Sequence, residues 1–109
     1  MLKLVPIILL LLACSDPDPH GLQATCQIFK DFENGALTLS IDPSERALEM
    51  GRLIEPRLKT QEARNIWAAM ASVAPEEKYT FMKDALKKLG QSEWSCPEMK
   101  NYFKESINP

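Results

Sequence analysis

The sequence contains few of the groups that enzymes use for acid–base or nucleophilic catalysis. Histidine occurs once in 109 residues, at His20, and a Ser-His-Asp or Cys-His arrangement needs that side chain inside a folded site. His20 follows a run rich in proline and aspartate, so we expect it to be solvated rather than catalytic. The sequence also lacks Gly-x-Ser-x-Gly, a phosphate-binding glycine loop and His-Glu-x-x-His. These absences predict that the chain is not an enzyme.

Metal and cofactor motifs are missing as well. Zinc sites need cysteines and histidines at short spacings, and covalent haem attachment needs Cys-x-x-Cys-His. The three cysteines, Cys14, Cys26 and Cys96, are too far apart in the sequence for either pattern. We therefore expect no metal and no cofactor.

An excess of positive charge, which nucleic-acid binding requires, is absent too. The chain carries 13 basic and 15 acidic residues, for a net charge of −2. The loss of Lys3 with the N-terminal segment discussed next would make the remainder more acidic still. This balance argues against nucleic acid as a partner.

The sequence has only one long apolar run, which extends from Leu4 to Ala13. Its length is about ten residues, against the roughly twenty that a helix needs to cross a bilayer. Lys3 precedes the run and a small residue ends it, which is the pattern of an export signal. A short buried helix is the alternative, but the run has no amphipathic period. We predict that residues 1–13 are a signal peptide that is cleaved.

The end of this run carries a recognisable motif. Leu11-Leu12-Ala13-Cys14 resembles the lipobox of bacterial lipoproteins, in which Leu, a small or aliphatic residue and Ala or Gly precede Cys. The resemblance implies that the Cys14 sulfur receives diacylglycerol and that the signal is cut just before it. Several acyl chains at one end of a protein are sufficient for stable membrane anchoring.

The residues after Cys14 predict where the protein resides. In the lipoprotein class an Asp directly after the lipidated Cys resembles an inner-membrane retention signal, and this chain has Ser15 instead. The resemblance therefore implies the outer membrane, facing the periplasm. Two prolines and two aspartates follow, and each residue before a proline is driven toward extended conformations. We expect residues 14–21 to form the lipidated end and a short stiff tether.

The cysteine count predicts a disulfide. With Cys14 assigned to lipid, Cys26 and Cys96 remain as a pair in an exported chain, where disulfides form readily. A disulfide between them would close a loop of about 70 residues, which stabilises a domain by roughly 4 kcal/mol in the chain-entropy model. Two free buried thiols or a catalytic redox pair are the alternatives. Cysteines on apolar helix faces favour the structural role, because reactive thiols lie exposed near positive charge.

Hydrophobic residues over residues 22–109 recur with a helical period, so we predict an all-α domain. The fold class is a small compact bundle of four to five short helices, stapled by one disulfide. Leu37–Ile41 is the one candidate strand, but it has no second strand to pair with. The predicted helices run from about Leu22 to Glu33, from Asp42 to a break at Pro56, from Gln61 to Val73, from Pro75 to Gly90, and from Ser95 onward.

Two leucines suggest a surface for a partner. Leu48 and Leu53 flank the second predicted helix away from its main apolar face, beside the break at Pro56. Exposed apolar residues near a helix break can form a groove for a partner, although another helix could also cover them. The sequence thus indicates a helical protein-interaction module of the cell envelope. The alternative function is a small-molecule or lipid binding protein with a cavity between its helices.

Overall fold

The computed structural model describes residues 17–107, and the side chains within that range up to residue 105. The signal peptide, Cys14 and Ser15 therefore lie outside the described residues. The described part contains five α-helices and one short 3₁₀ helix and has no β-strand, which confirms the predicted all-α class. In chain order the elements are α1 Leu22–Glu33, α2 Pro43–Ile54, the 3₁₀ helix Glu55–Arg57, α3 Gln61–Met70, α4 Pro75–Lys88 and α5 Pro97–Ile107.

Local sequence signals set the start and the end of α2. The Asp42 carboxylate accepts hydrogen bonds from the backbone N–H groups of Ser44 and Glu45, at 2.8 and 3.4 Å. It therefore satisfies N–H groups that have no partner within the helix. Pro43 occupies the first helical position, where its missing N–H costs nothing. Pro56 ends the α-helix and turns the chain into the 3₁₀ helix, as its ring requires.

The segment 34–42, which contains the candidate strand, is an irregular loop held by α2. The Arg46 guanidinium donates to the backbone carbonyls of Ser40 and Ile41, both at 3.0 Å. The Glu49 carboxylate accepts from the Ser40 N–H at 3.1 Å. Helix side chains thus replace the neighbouring strand that this segment would need for β structure.

The third helix is shorter than the sequence predicts. It ends at Met70 rather than near Val73, and the next three residues form bonds from each N–H to the carbonyl three residues earlier. Such bonds tighten the last turn of a helix. Further along the chain, Ala74 precedes Pro75 and adopts an extended conformation, so no helix could continue past Val73.

The last residues of the predicted tether belong to the folded domain. Both oxygens of the Asp18 carboxylate accept hydrogen bonds from the first turn of α1, at 3.0 Å from the N–H groups of Gln23 and Ala24. Asp18 therefore caps α1 from outside the helix. Gly21 has a φ of 80°, and a Cβ at this position would lie 1.8 Å from the carbonyl oxygen of Arg57. Only glycine fits there.

His20 is also bound to the domain, whereas the sequence predicts a solvated side chain. It is half-buried, and its Nδ1 lies 2.8 Å from the hydroxyl of Thr60. Its backbone carbonyl accepts from the Lys59 N–H at 3.1 Å. The part of the predicted tether from Asp18 to Gly21 is therefore bound to the folded domain.

The disulfide between Cys26 and Cys96 is present and confirms the predicted pairing. Its Cα atoms are 5.8 Å apart, within the range that a disulfide bridges without distortion. Both cysteines are buried, and the bridge fixes α1 to the residue directly before α5. Tyr79 supports it, because its hydroxyl accepts from the Cys96 N–H at 3.0 Å. The ring of Trp94 packs on Tyr79 with the centroids 5.9 Å apart.

The core lies between α1, α4 and α5 and extends under α2 and α3. Its fully buried large side chains come from four different helices: Phe29, Ile54, Leu86 and Met99. Within residues 17–107, none of the helices has both the length and the apolar character that a bilayer-spanning segment needs.

Candidate functional site

A groove lies over α2, bounded by the end of α3, the start of α4 and one side of α5. Its volume is about 460 Å³, which is within the size range of ligand and peptide sites. Ala71, just beyond α3, is exposed on one side, and Ala47 is exposed on the α2 side. The groove is therefore an open trough and not an enclosed cavity. Its lining residues are Ala47, Leu48, Met50, Gly51, Arg52, Glu55, Trp67, Met70, Ala71, Lys78, Tyr102 and Phe103.

The floor of the groove is apolar and built on the core. Met50, Met70 and Phe103 are buried, so their atoms form a fixed base. Trp67 is half-buried and Leu48 is 62% exposed, so both side chains present apolar surface to the trough.

Gly51 lies at the start of the last turn of α2 and forms part of the groove wall. A glycine in a helix interior destabilises the helix by about 1 kcal/mol relative to alanine. A Cβ added at this position would meet no atom within 4 Å, so no packing inside the chain requires its absence. The glycine leaves bare backbone on the trough, between the small side chain of Ala47 and the charged rim.

The charged residues of the groove are mostly cationic. Arg52 and Lys78 line it together with a single acid, Glu55, although the chain as a whole is net negative. The Lys78 ammonium donates a hydrogen bond to the carbonyl of Met70, at the end of α3. Desolvation by burial lowers the pKa of Lys78 from its ordinary value, because the charged form loses water contacts.

Tyr102 adds a second perturbed group at the side formed by α5. Burial raises its pKa, and the positive charge of Arg46 lowers the same pKa by a smaller amount. The Arg46 guanidinium itself lies 6.0 Å from the centroid of the Phe32 ring, in a cation–π arrangement. The positive charge of this region therefore extends from the groove to the neighbouring aromatic residues.

The two leucines singled out in the sequence have different positions. Leu48 is exposed and lines the groove, whereas Leu53 is half-buried against the core and is not among the lining residues. Trp67 and Met70, which the helical period assigns to the core, also form part of the groove. The signal in the sequence that marks this face is Gly51, a helix-interior glycine on the apolar side of α2.

Two other groups of polar or metal-binding side chains, outside the groove, have structural roles. The sulfurs of Cys26 and Cys96 lie within 4.8 Å of a carboxylate oxygen of Glu98, but they are bonded to each other and cannot act as thiolate ligands. The Thr60 hydroxyl beside His20 also caps α3 by accepting from the Ala63 N–H at 3.2 Å. This pair therefore joins the tether to the start of α3.

Comparison of the chain with protein-family models, with curated proteins and with solved structures gave no significant match. The function therefore has to be inferred from the chemistry of the groove. That chemistry combines a buried apolar floor, an exposed leucine, bare helix backbone and a cationic rim.

Proposed function

We propose that the chain is a lipid-anchored protein of the bacterial envelope whose helical domain docks a protein partner in the groove over α2. The lipid on Cys14 holds the protein at the outer membrane, facing the periplasm. The observation that carries the docking function is the exposed Leu48 on the wall of an apolar groove, beside the bare backbone of Gly51. The proposed partner is a periplasmic or outer-membrane protein.

The groove has the features that concentrate binding energy in protein interfaces. Aromatic side chains in a pocket carry much of the binding energy of protein interfaces. Trp67 provides such an anchor above the buried floor, and the exposed Leu48 adds an apolar contact on the groove wall. An element packed on both side chains would remove their exposed apolar surface from water.

A small molecule or a lipid is the second candidate occupant. The volume of about 460 Å³ favours it, since sites for small ligands fall in this range. Such sites bury most of the surface of their ligand, whereas this trough is open along a side that carries exposed residues. The open shape therefore supports a protein partner more strongly.

A photo-crosslinking amino acid at Ala71 tests the docking function in the full lipidated chain in cells. Ala71 is exposed at the groove, so we expect a discrete protein adduct. The change Leu48→Ser on the opposite wall should reduce the adduct strongly, because it removes an apolar anchor. The same crosslinker at Thr80, an exposed position of α4 outside the groove lining, is the control. An adduct with lipid or no adduct would contradict the proposal.

A further inference from the structure

The charge and the shape of the groove specify the partner further. This inference about the partner rests on the proposed docking function, because it describes the segment of the partner that fills the groove. Arg52 and Lys78 face one acid, Glu55, in an otherwise acidic chain. Complementary charge favours an occupant that carries a carboxylate beside its apolar surface.

Gly51 defines how near the occupant comes to α2. Close approach of two backbones needs a residue without a side chain at the crossing point. Ala47 and Ala71, which line the same groove, have small side chains. No atom lies within 4 Å of the place where a Cβ on Gly51 would be. The structure of the free chain gives this glycine no other role, so the close approach belongs to the occupant.

The occupant is more consistent with a helix than with a strand. A segment in β-strand conformation binds by adding to the edge of a sheet, and the described part of the chain has no strand to offer one. A helix in a groove needs an apolar stripe at positions i, i+3, i+4 and i+7. Leu48, Trp67 and Phe103 provide apolar contacts along the trough for such a stripe.

A second copy of this chain fits the groove poorly. In a twofold symmetric dimer the same surface patch meets itself. Each groove carries two cations, Arg52 and Lys78, and one acid, Glu55, so two grooves that face each other have the same net charge and repel. The charge therefore favours a different protein.

We propose that the groove binds an amphipathic helix of a partner protein, which crosses α2 at Gly51 and places an acidic side chain beside Arg52 and Lys78. The apolar face of that helix covers Leu48 and Trp67. Lys78 supports this assignment, since a partner carboxylate would stabilise the ammonium that burial disfavours.

The test uses the full lipidated chain with the crosslinker at Ala71 and compares substitutions in α2. Arg52→Glu should lower the adduct yield roughly tenfold or more, because attraction becomes repulsion. Lys87→Glu is the matched control, because both residues are exposed cations in the last turn of a helix, and it should leave the yield unchanged. Equal yields from Arg52→Glu and wild type would overturn the acidic partner while leaving the docking function intact.

Gly51→Ala separates binding from folding. Alanine should raise the melting temperature of the free chain, since it has the higher helix propensity and meets no atom. The same change should lower the adduct yield at least severalfold, because its methyl group blocks the close approach. An unchanged yield in the stabilised variant would exclude a crossing at Gly51.

The crosslinked peptide identifies the occupant directly. Mass spectrometry should find a segment with apolar residues at helical spacing and a flanking Asp or Glu. In the full chain with Arg52→Glu, binding of a synthetic peptide of that segment should be restored when its acid is changed to lysine. A crosslink to a second copy of this chain, to lipid, or to a segment without this pattern would overturn the inference. Absence of any adduct from wild type would instead reject the proposed function itself.

Discussion

Tyr102 shows how single residues link the groove to the stability of the fold. Its ring packs edge-on against Phe29 and Phe32, with centroids 5.3 and 5.6 Å apart. Burial among these rings raises the pKa of Tyr102, and the nearby Arg46 offsets this rise only in part. The folded protein therefore holds the phenolic proton at a pH where the unfolded chain has already released it.

This difference predicts a loss of stability at alkaline pH. The contribution of Tyr102 is fully present below its unfolded pKa of 10.0 and is lost as pH rises through the higher folded pKa. Lys78 acts in the opposite direction, because its pKa is lowered on folding. We expect that Tyr102→Phe weakens the loss of unfolding free energy between about pH 8 and pH 10.5. Urea titrations at the two pH values provide the measurement, and identical losses in both proteins would show that Tyr102 is not responsible.

At the scale of elements, local signals and tertiary contacts contributed differently to what could be predicted. The bounds of α1 and the start of α2 follow from residues next to them in the sequence, such as Asp42 and Pro43. The docking of His20 could not be predicted, because its partner Thr60 is 40 residues away. The end of α3 at Met70 was not predicted either, because Pro75 sets only an outer limit at Val73. The sequence pattern does not fix a helix end to the residue.

The capping of α1 by Asp18 gives a prediction at this scale. The helix has no side-chain cap at Gly21, so the two hydrogen bonds to the Asp18 carboxylate replace it. We expect Asp18→Ala to lower the unfolding free energy by about 0.5–2 kcal/mol. Thermal melts of the variant and wild type measure the loss. Asp84→Ala, on the exposed surface of α4, is the control and should cause none. A loss no larger than that of the control would contradict the capping of α1 by Asp18.

For the whole molecule, the disulfide was predictable from the sequence and the groove was not. Counting cysteines leaves one pair, and their positions on apolar faces orient both toward the core. The groove instead combines Leu48 of α2, Ala71 after α3 and Tyr102 of α5, which the packing of the helices brings together. Its traces in the sequence are Leu48, which flanks the main apolar face of α2, and Gly51 on that face. The periodicity of one helix shows which of its own faces is apolar. It does not show whether the other helices cover that face in the fold.

The proposed lipid anchor would determine where the whole molecule acts, and its prediction rests on the resemblance of residues 11–14 to a lipobox. Cys14→Ser should prevent incorporation of a fatty-acid analogue and release the protein from membranes. Wild-type protein should carry the label and sediment with outer-membrane markers in a sucrose gradient, because Ser15 follows the lipidated position. Label on the Cys14→Ser variant would exclude this site of attachment. Recovery of wild type with inner-membrane markers would exclude only the outer-membrane placement.

The disulfide joins α1 to the residue directly before α5, so its removal tests how strongly it stabilises the fold. The described residues, 17–107, form a small domain with a limited core, so a covalent link contributes a large share of its stability. Replacing both Cys26 and Cys96 with alanine should lower the unfolding free energy by roughly 2–5 kcal/mol. The double variant is required, since a single replacement leaves a thiol free for intermolecular pairing. In unfolded, unreduced wild type, thiol titration should find both cysteines unreactive. Two reactive thiols would contradict the bridge, and α1 would then be held to α5 by packing such as that of Phe29 against Phe103 and by the hydrogen bond from the Asn101 amide to the Glu33 carboxylate.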